Sequence, residues 1–121
     1  MKYMLLIYLA EDAITPAERE DCYVKSAQLA QNLHAKGQFL ATAPLQPVAL
    51  TTKIQVRDGK ALVTDGPFME TREHLGGFFL VDAKNLDEAI KIAEQIPAVR
   101  VGTVEIRPVL EVSGVPTGAS R

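Results

Sequence analysis

Asp65, Glu70, Arg72, Glu73 and His74 fall within ten residues, between two apolar runs of the chain. Gly66 can take backbone angles closed to other residues, and Pro67 fixes its own φ and biases Gly66 away from the helical region. Asp65 therefore leaves a strand end at a set angle, where it could act as a general base or as a carboxylate that orients a substrate. The competing use is structural: an Asp before Gly often caps its own turn through backbone N–H groups. Glu70 and Glu73 are three apart and share a face if the loop makes a helical turn. Two carboxylates that close raise the pKa of one of them, which suits proton transfer; solvated surface acids are the plainer alternative. Asp65, Glu70 and Glu73 are the candidate catalytic groups. Arg72, which could neutralise the acids or hold an anion, is a candidate substrate-binding group, as is His74, the loop side chain type that exchanges a proton near neutrality. Tyr8, a two-ended aromatic near the end of the first strand, and Gly76, which permits close backbone approach, complete that set.

Other chemistries lack their residues. No His/Cys cluster has zinc spacing, and neither a phosphate-binding nor a dinucleotide glycine pattern occurs, so neither metal nor cofactor is expected. Cys22 is alone and reads as a small buried helix residue, suited to a reducing cytoplasm. Thirteen Lys and Arg against fifteen Asp and Glu leave no basic stripe for nucleic acid. The longest apolar run, Met4 to Ala10, is too short to span a bilayer and lacks the features of a secretory signal. The expectation is a cytoplasmic protein with no membrane and no nucleic-acid partner.

The elements that must position the cluster are legible from pattern. Residues 2–9 form an apolar strand. Thr15-Pro16-Ala17-Glu18 opens a helix with a capping box, and Cys22, Ser26, Leu29 and Leu33 share one of its faces. Gly37 ends it, and residues 38–42 make a second strand. Thr52 to Arg57 alternates, and Asp58-Gly59 turns it into a hairpin pairing Ile54 with Val63 and Val56 with Ala61. Gly77 to Asp82 is the next strand, Asn85 caps a second helix that runs to about Ile96, and Thr103 to Leu110 is the last strand. Without the hairpin the order is βαββαβ, an α+β ferredoxin-like plan with both helices on one side of an antiparallel sheet. The hairpin either extends that sheet or folds over its open face. One domain is expected over residues 1–112, with a loosely held tail over 113–121.

Two helices leave one sheet face bare, yet both faces of the central strands are apolar: Met4, Leu6 and Tyr8 against Leu5, Ile7 and Leu9, and Phe78 and Leu80 against Phe79 and Val81. That predicts a homodimer with its sheets face to face.

Lys2-Tyr3-Met4-Leu5-Leu6-Ile7-Tyr8, Asp65-Gly66-Pro67-Phe68 with Glu70-Thr71-Arg72-Glu73, and Leu75-Gly76-Gly77-Phe78 resemble the DGPF branch of the YCII-related domain over residues 1 to about 110. The resemblance implies a dimeric α+β barrel. It also implies activity on lactones or chlorinated aromatic breakdown products in some relatives, and an association with extracytoplasmic-function sigma factors in others. One departure matters. The family's acid–base pair, a His on the first helix and an Asp in an Asp-Pro pair, falls here on Ser26 and on Ile96-Pro97. The expected function is binding of a small organic molecule, with cofactor-free proton transfer, isomerisation or elimination by the loop acids. The alternative is a non-enzymatic ligand-sensing or protein-interaction accessory tied to transcription.

Overall fold

The computed structural model describes residues 1–69 and 71–116. Its strands are β1 (Lys2–Leu9), β2 (Phe39–Pro44), β3 (Thr52–Arg57), β4 (Lys60–Asp65), β5 (His74–Asp82) and β6 (Thr103–Pro108), with helices α1 (Pro16–Ala35) and α2 (Leu86–Ala93). Short 3₁₀ turns cover Val48–Leu50 and Pro97–Arg100. Local chemistry explains the helix boundaries. The Glu18 N–H donates to Thr15 Oγ1 at 3.1 Å while the Thr15 N–H donates to Glu18 Oε1 at 2.8 Å, closing the capping box that starts α1. Gly37, at φ 72°, follows its end. The Glu88 N–H donates to Asn85 Oδ1 at 3.0 Å and starts α2. That helix ends at Ala93, three residues earlier than its apolar pattern suggests, because Gln95 and Ile96 donate three residues back and tighten the chain towards the Pro97 turn.

Strands β2, β5, β1 and β6 form one antiparallel sheet in that order, the ferredoxin-like arrangement. Strand β5 begins at His74, three residues before the expected Gly77, and β6 ends at Pro108 rather than Leu110. Pro108 sits at the end of an edge strand, where its missing donor is harmless. Both helices lie on one face. Leu29 and Leu33 of α1, Ala89, Ile92 and Ala93 of α2, and Ile96 meet Tyr3, Leu5, Phe79 and Val81 in one core. Burial of Phe79 and Leu5 is nearly complete, so the hydrophobic effect acts most strongly at the centre of the sheet. The other face carries Met4, Leu6, Tyr8, Phe78 and Leu80, half-buried, with no helix over them.

The hairpin forms as its alternation requires, with Ile54 opposite Val63 and Val56 opposite Ala61. Asp58 at φ 52° and Gly59 at φ 74° give the turn whose twist matches the strands. It does not extend the main sheet. Strands β3 and β4 make a two-stranded sheet of their own. Nor does it bury its apolar side, since Ile54, Val56 and Val63 remain 65%, 60% and 61% exposed.

Candidate functional site

A cavity of about 350 Å³ lies between the first half of α1 and the sheet. Side-chain size explains it. At the far end of α1, Leu29 and Leu33 fill the space above the sheet, but one and two turns earlier the same face carries Ser26 and Cys22, with the exposed Tyr23 and Ala27 beside them. Opposite them stand Ala43, Thr42 and the Gly76-Gly77 pair, small residues that leave space between the layers at this point. Gly76 is the extra residue of a bulge, because Ile7 pairs with Gly77 whereas Tyr8 pairs with Leu75. A Cβ at Gly77 would stand 2.9 Å from the Ala43 carbonyl oxygen, so this approach of β2 to β5 requires glycine. Buried Phe79 and Ile96 contribute to the lining, and the exposed segment Pro44–Pro47 borders it.

Its polar groups are few. The half-buried Arg19 donates from Nη2 to the Glu11 carbonyl oxygen at 3.0 Å, and Glu11 Oε2 accepts the Val48 N–H at 2.7 Å. The first bond ties α1 to the exit of β1, and the second ties that exit to the segment after β2. The Thr42 hydroxyl donates to the Phe78 carbonyl oxygen at 2.7 Å. His74 also lines the cavity, with Nδ1 3.4 Å from Thr71 Oγ1. The single Thr71 hydroxyl proton is given to the Glu73 carbonyl oxygen at 2.7 Å. The contact with the His74 ring is the longer of the two.

A second, smaller depression of about 210 Å³ lies on the open sheet face, lined by Tyr8, Glu73, Thr103 and Glu105. The Thr103 hydroxyl donates to Glu73 Oε1 at 2.9 Å. Partial burial raises the Tyr8 pKa above its ordinary value. The adjacent Glu105 carboxylate adds to that by its charge and by a hydrogen bond, and Arg107 opposes it.

The residues singled out from sequence are thus separated. His74 and Gly76 line the cavity beneath α1; Tyr8 and Glu73 line the depression on the opposite face. Adjacent residues at a strand's start point to opposite sides, which parts Glu73 from His74. Asp65 is exposed at the end of β4, opposite Thr52, and Arg72 is exposed in the loop; neither lines either cavity. Glu70 lies outside the described residues. Arg19, Cys22 and Ser26 line the cavity but were not among the candidates read from the sequence. For Cys22 and Ser26 the signal was present, since small residues on a helix face that further along carries Leu29 and Leu33 mark a gap. Ser26 and Ile96, the positions on which the resemblance places an acid–base pair, both line this cavity.

Among the described residues no group of three or more His, Cys, Asp or Glu side chains is arranged to hold a metal ion, and no helix is long and apolar enough to cross a membrane. The family model of the YCII-related domain matches residues 1–113. An uncharacterised protein of Rhizobium meliloti (strain 1021) is 31% identical over 114 residues, covering 89% of this chain and 91% of that protein.

Proposed function

The chain belongs to the YCII-related domain family, and for this member we propose that the cavity beneath α1 binds a small, mostly apolar organic molecule. The observation that carries this is the cavity itself: about 350 Å³ of space bordered by Ile7, Phe79 and Ile96, with a few polar groups at its edges. That size and lining fall within the range of small-molecule sites. Ser26 and Ile96 stand where the resemblance puts an acid–base pair, so the cavity is kept without that pair, which favours binding over turnover. Titration with indole, followed by amide chemical shifts, tests this. Shifts confined to Ser26, Leu45, Gly76 and their neighbours are expected; shifts scattered over the surface, or none, would overturn it.

A second reading is favoured by the place of His74, whose ring lines the cavity. In this reading His74 takes a proton from a bound carbon acid and returns it at another position, without a cofactor. Asp65, Arg72 and Glu73 do not line this cavity and have no part in that step. Deuterium exchange into 2-indanone that is accelerated by the protein and lost in His74→Gln supports it; equal exchange with both proteins rules it out.

The open sheet face completes the proposal. Met4, Leu6, Phe78 and Leu80 would be covered by the same face of a second copy, giving a homodimer. Sedimentation equilibrium of the wild-type protein tests this, with a dimer mass expected.

A further inference from the structure

The hairpin is an apolar arm without a body to rest on. Ile54, Val56 and Val63 are aligned on one side by the register, with Ala61 between them, and all are exposed. A lone two-stranded hairpin is marginal in water and needs a surface to pack against. The main sheet of the same chain does not supply one, since β3 and β4 pair only with each other. Leu50, just before β3, and Phe68 and Met69, just after β4, are exposed as well. We propose that this arm reaches across to a second copy of the chain and lies against it, so that each copy of the homodimer is clasped by the other's hairpin.

Three observations select a second copy as the occupant. First, the chain that leaves the arm arrives at the open face: β4 ends at Asp65, and Glu73, the residue before β5, lines the same depression as Tyr8 and Glu105. A copy seated on that face lies within reach of strands six residues long, or roughly 20 Å. Second, the area is adequate. Leu50, Ile54, Val56, Val63, Phe68 and Met69 together expose on the order of 700 Å², close to the roughly 800 Å² that each side of a standard interface buries. Third, a two-fold pair satisfies both arms at once, because an isologous contact uses the same patch twice. The inference rests on the sheet-face dimer proposed above and adds to it the segment that closes it.

The test compares three full-length chains by sedimentation equilibrium: wild type, Ile54→Lys/Val63→Lys on the arm, and Leu6→Glu on the open face. Ile54 and Val63 are more than half exposed in one chain, so lysine there leaves the protomer folded, which circular dichroism checks. The expected result is a wild-type dimer whose dissociation constant rises about a hundredfold or more in the arm variant. A wild-type monomer at micromolar concentration overturns both the arm and the dimer. A dimer unchanged in the arm variant but lost in Leu6→Glu leaves the sheet-face pairing intact and overturns the arm. Should the arm variant misfold, hydrogen exchange of wild-type β3 and β4 amides decides. Protection that falls on dilution supports the clasp; protection independent of concentration refutes it.

Discussion

Ser26→Phe should close the cavity without harming the fold. Ser26 is half-buried on α1 and borders the 350 Å³ space, so a benzyl group can turn into room that already exists. The substitution adds about five heavy atoms. If each excludes one ligand atom worth about 0.3 kcal/mol, affinity falls by about 1.5 kcal/mol, or roughly tenfold. Burying the ring stabilises the fold by about 1.5–3 kcal/mol, and any misfit costs about 1–3 kcal/mol, so the two nearly cancel. Thermal unfolding of the variant should therefore stay close to wild type. The assay is the indole titration, with Ser26→Ala as the control expected to keep full affinity. Indole binding to a folded Ser26→Phe protein with unchanged affinity refutes the reasoning. If that variant unfolds, Ser26→Leu, which adds about two heavy atoms, should lower affinity by about 0.6 kcal/mol, or roughly threefold.

Other outcomes follow from the same structure. Phe79→Ala, at the least accessible part of the core, should lower the unfolding free energy by about 3–5 kcal/mol in urea titration. Thr15→Ala removes the α1 cap and should cost about 1 kcal/mol by the same measurement. Asp65→Asn should leave indole affinity unchanged, because Asp65 lies outside the cavity lining; a clear loss would return Asp65 to the site. The raised pKa of Tyr8 makes a signed prediction for alkaline pH. The folded chain holds the phenol proton more tightly than the unfolded chain. The stability this contributes is complete below the ordinary tyrosine value of about 10 and is lost as pH rises through the higher native value. The phenolate absorbance of wild type minus Tyr8→Phe should titrate above that ordinary value, and Glu105→Gln should bring it down. A midpoint at or below the ordinary value would contradict the assignment.

Most of the architecture was legible because local and tertiary signals agree. The Thr15–Glu18 box, the Asn85 cap, the Asp58-Gly59 turn and the two apolar faces of β1 and β5 each appear where their chemistry puts them. Element ends were harder. Backbone pairing carries β5 back to His74 although Gly76 interrupts its pattern, and 3₁₀ tightening stops α2 before its apolar run ends. The site was legible only in part. Charge density drew attention to Asp65, Arg72 and Glu73, but side-chain direction at a strand start is set by register, which a bulge at Gly76 shifts by one residue. A cavity is also a deficit of atoms. It is marked by small residues such as Ser26 and Gly77 facing each other across layers, and pairing them requires knowing which strand lies under which helix turn.

Intermolecular NOEs between indole protons and the protein probe the proposed binding most directly. Contacts from bound indole to the methyl groups of Ile7, Leu45 and Ala98 are expected, since these line the cavity beneath α1. Contacts instead to Met4 and Leu80 on the open sheet face, or to Val56 and Val63 on the hairpin, would show that the ligand sits elsewhere and that the cavity is not the binding site.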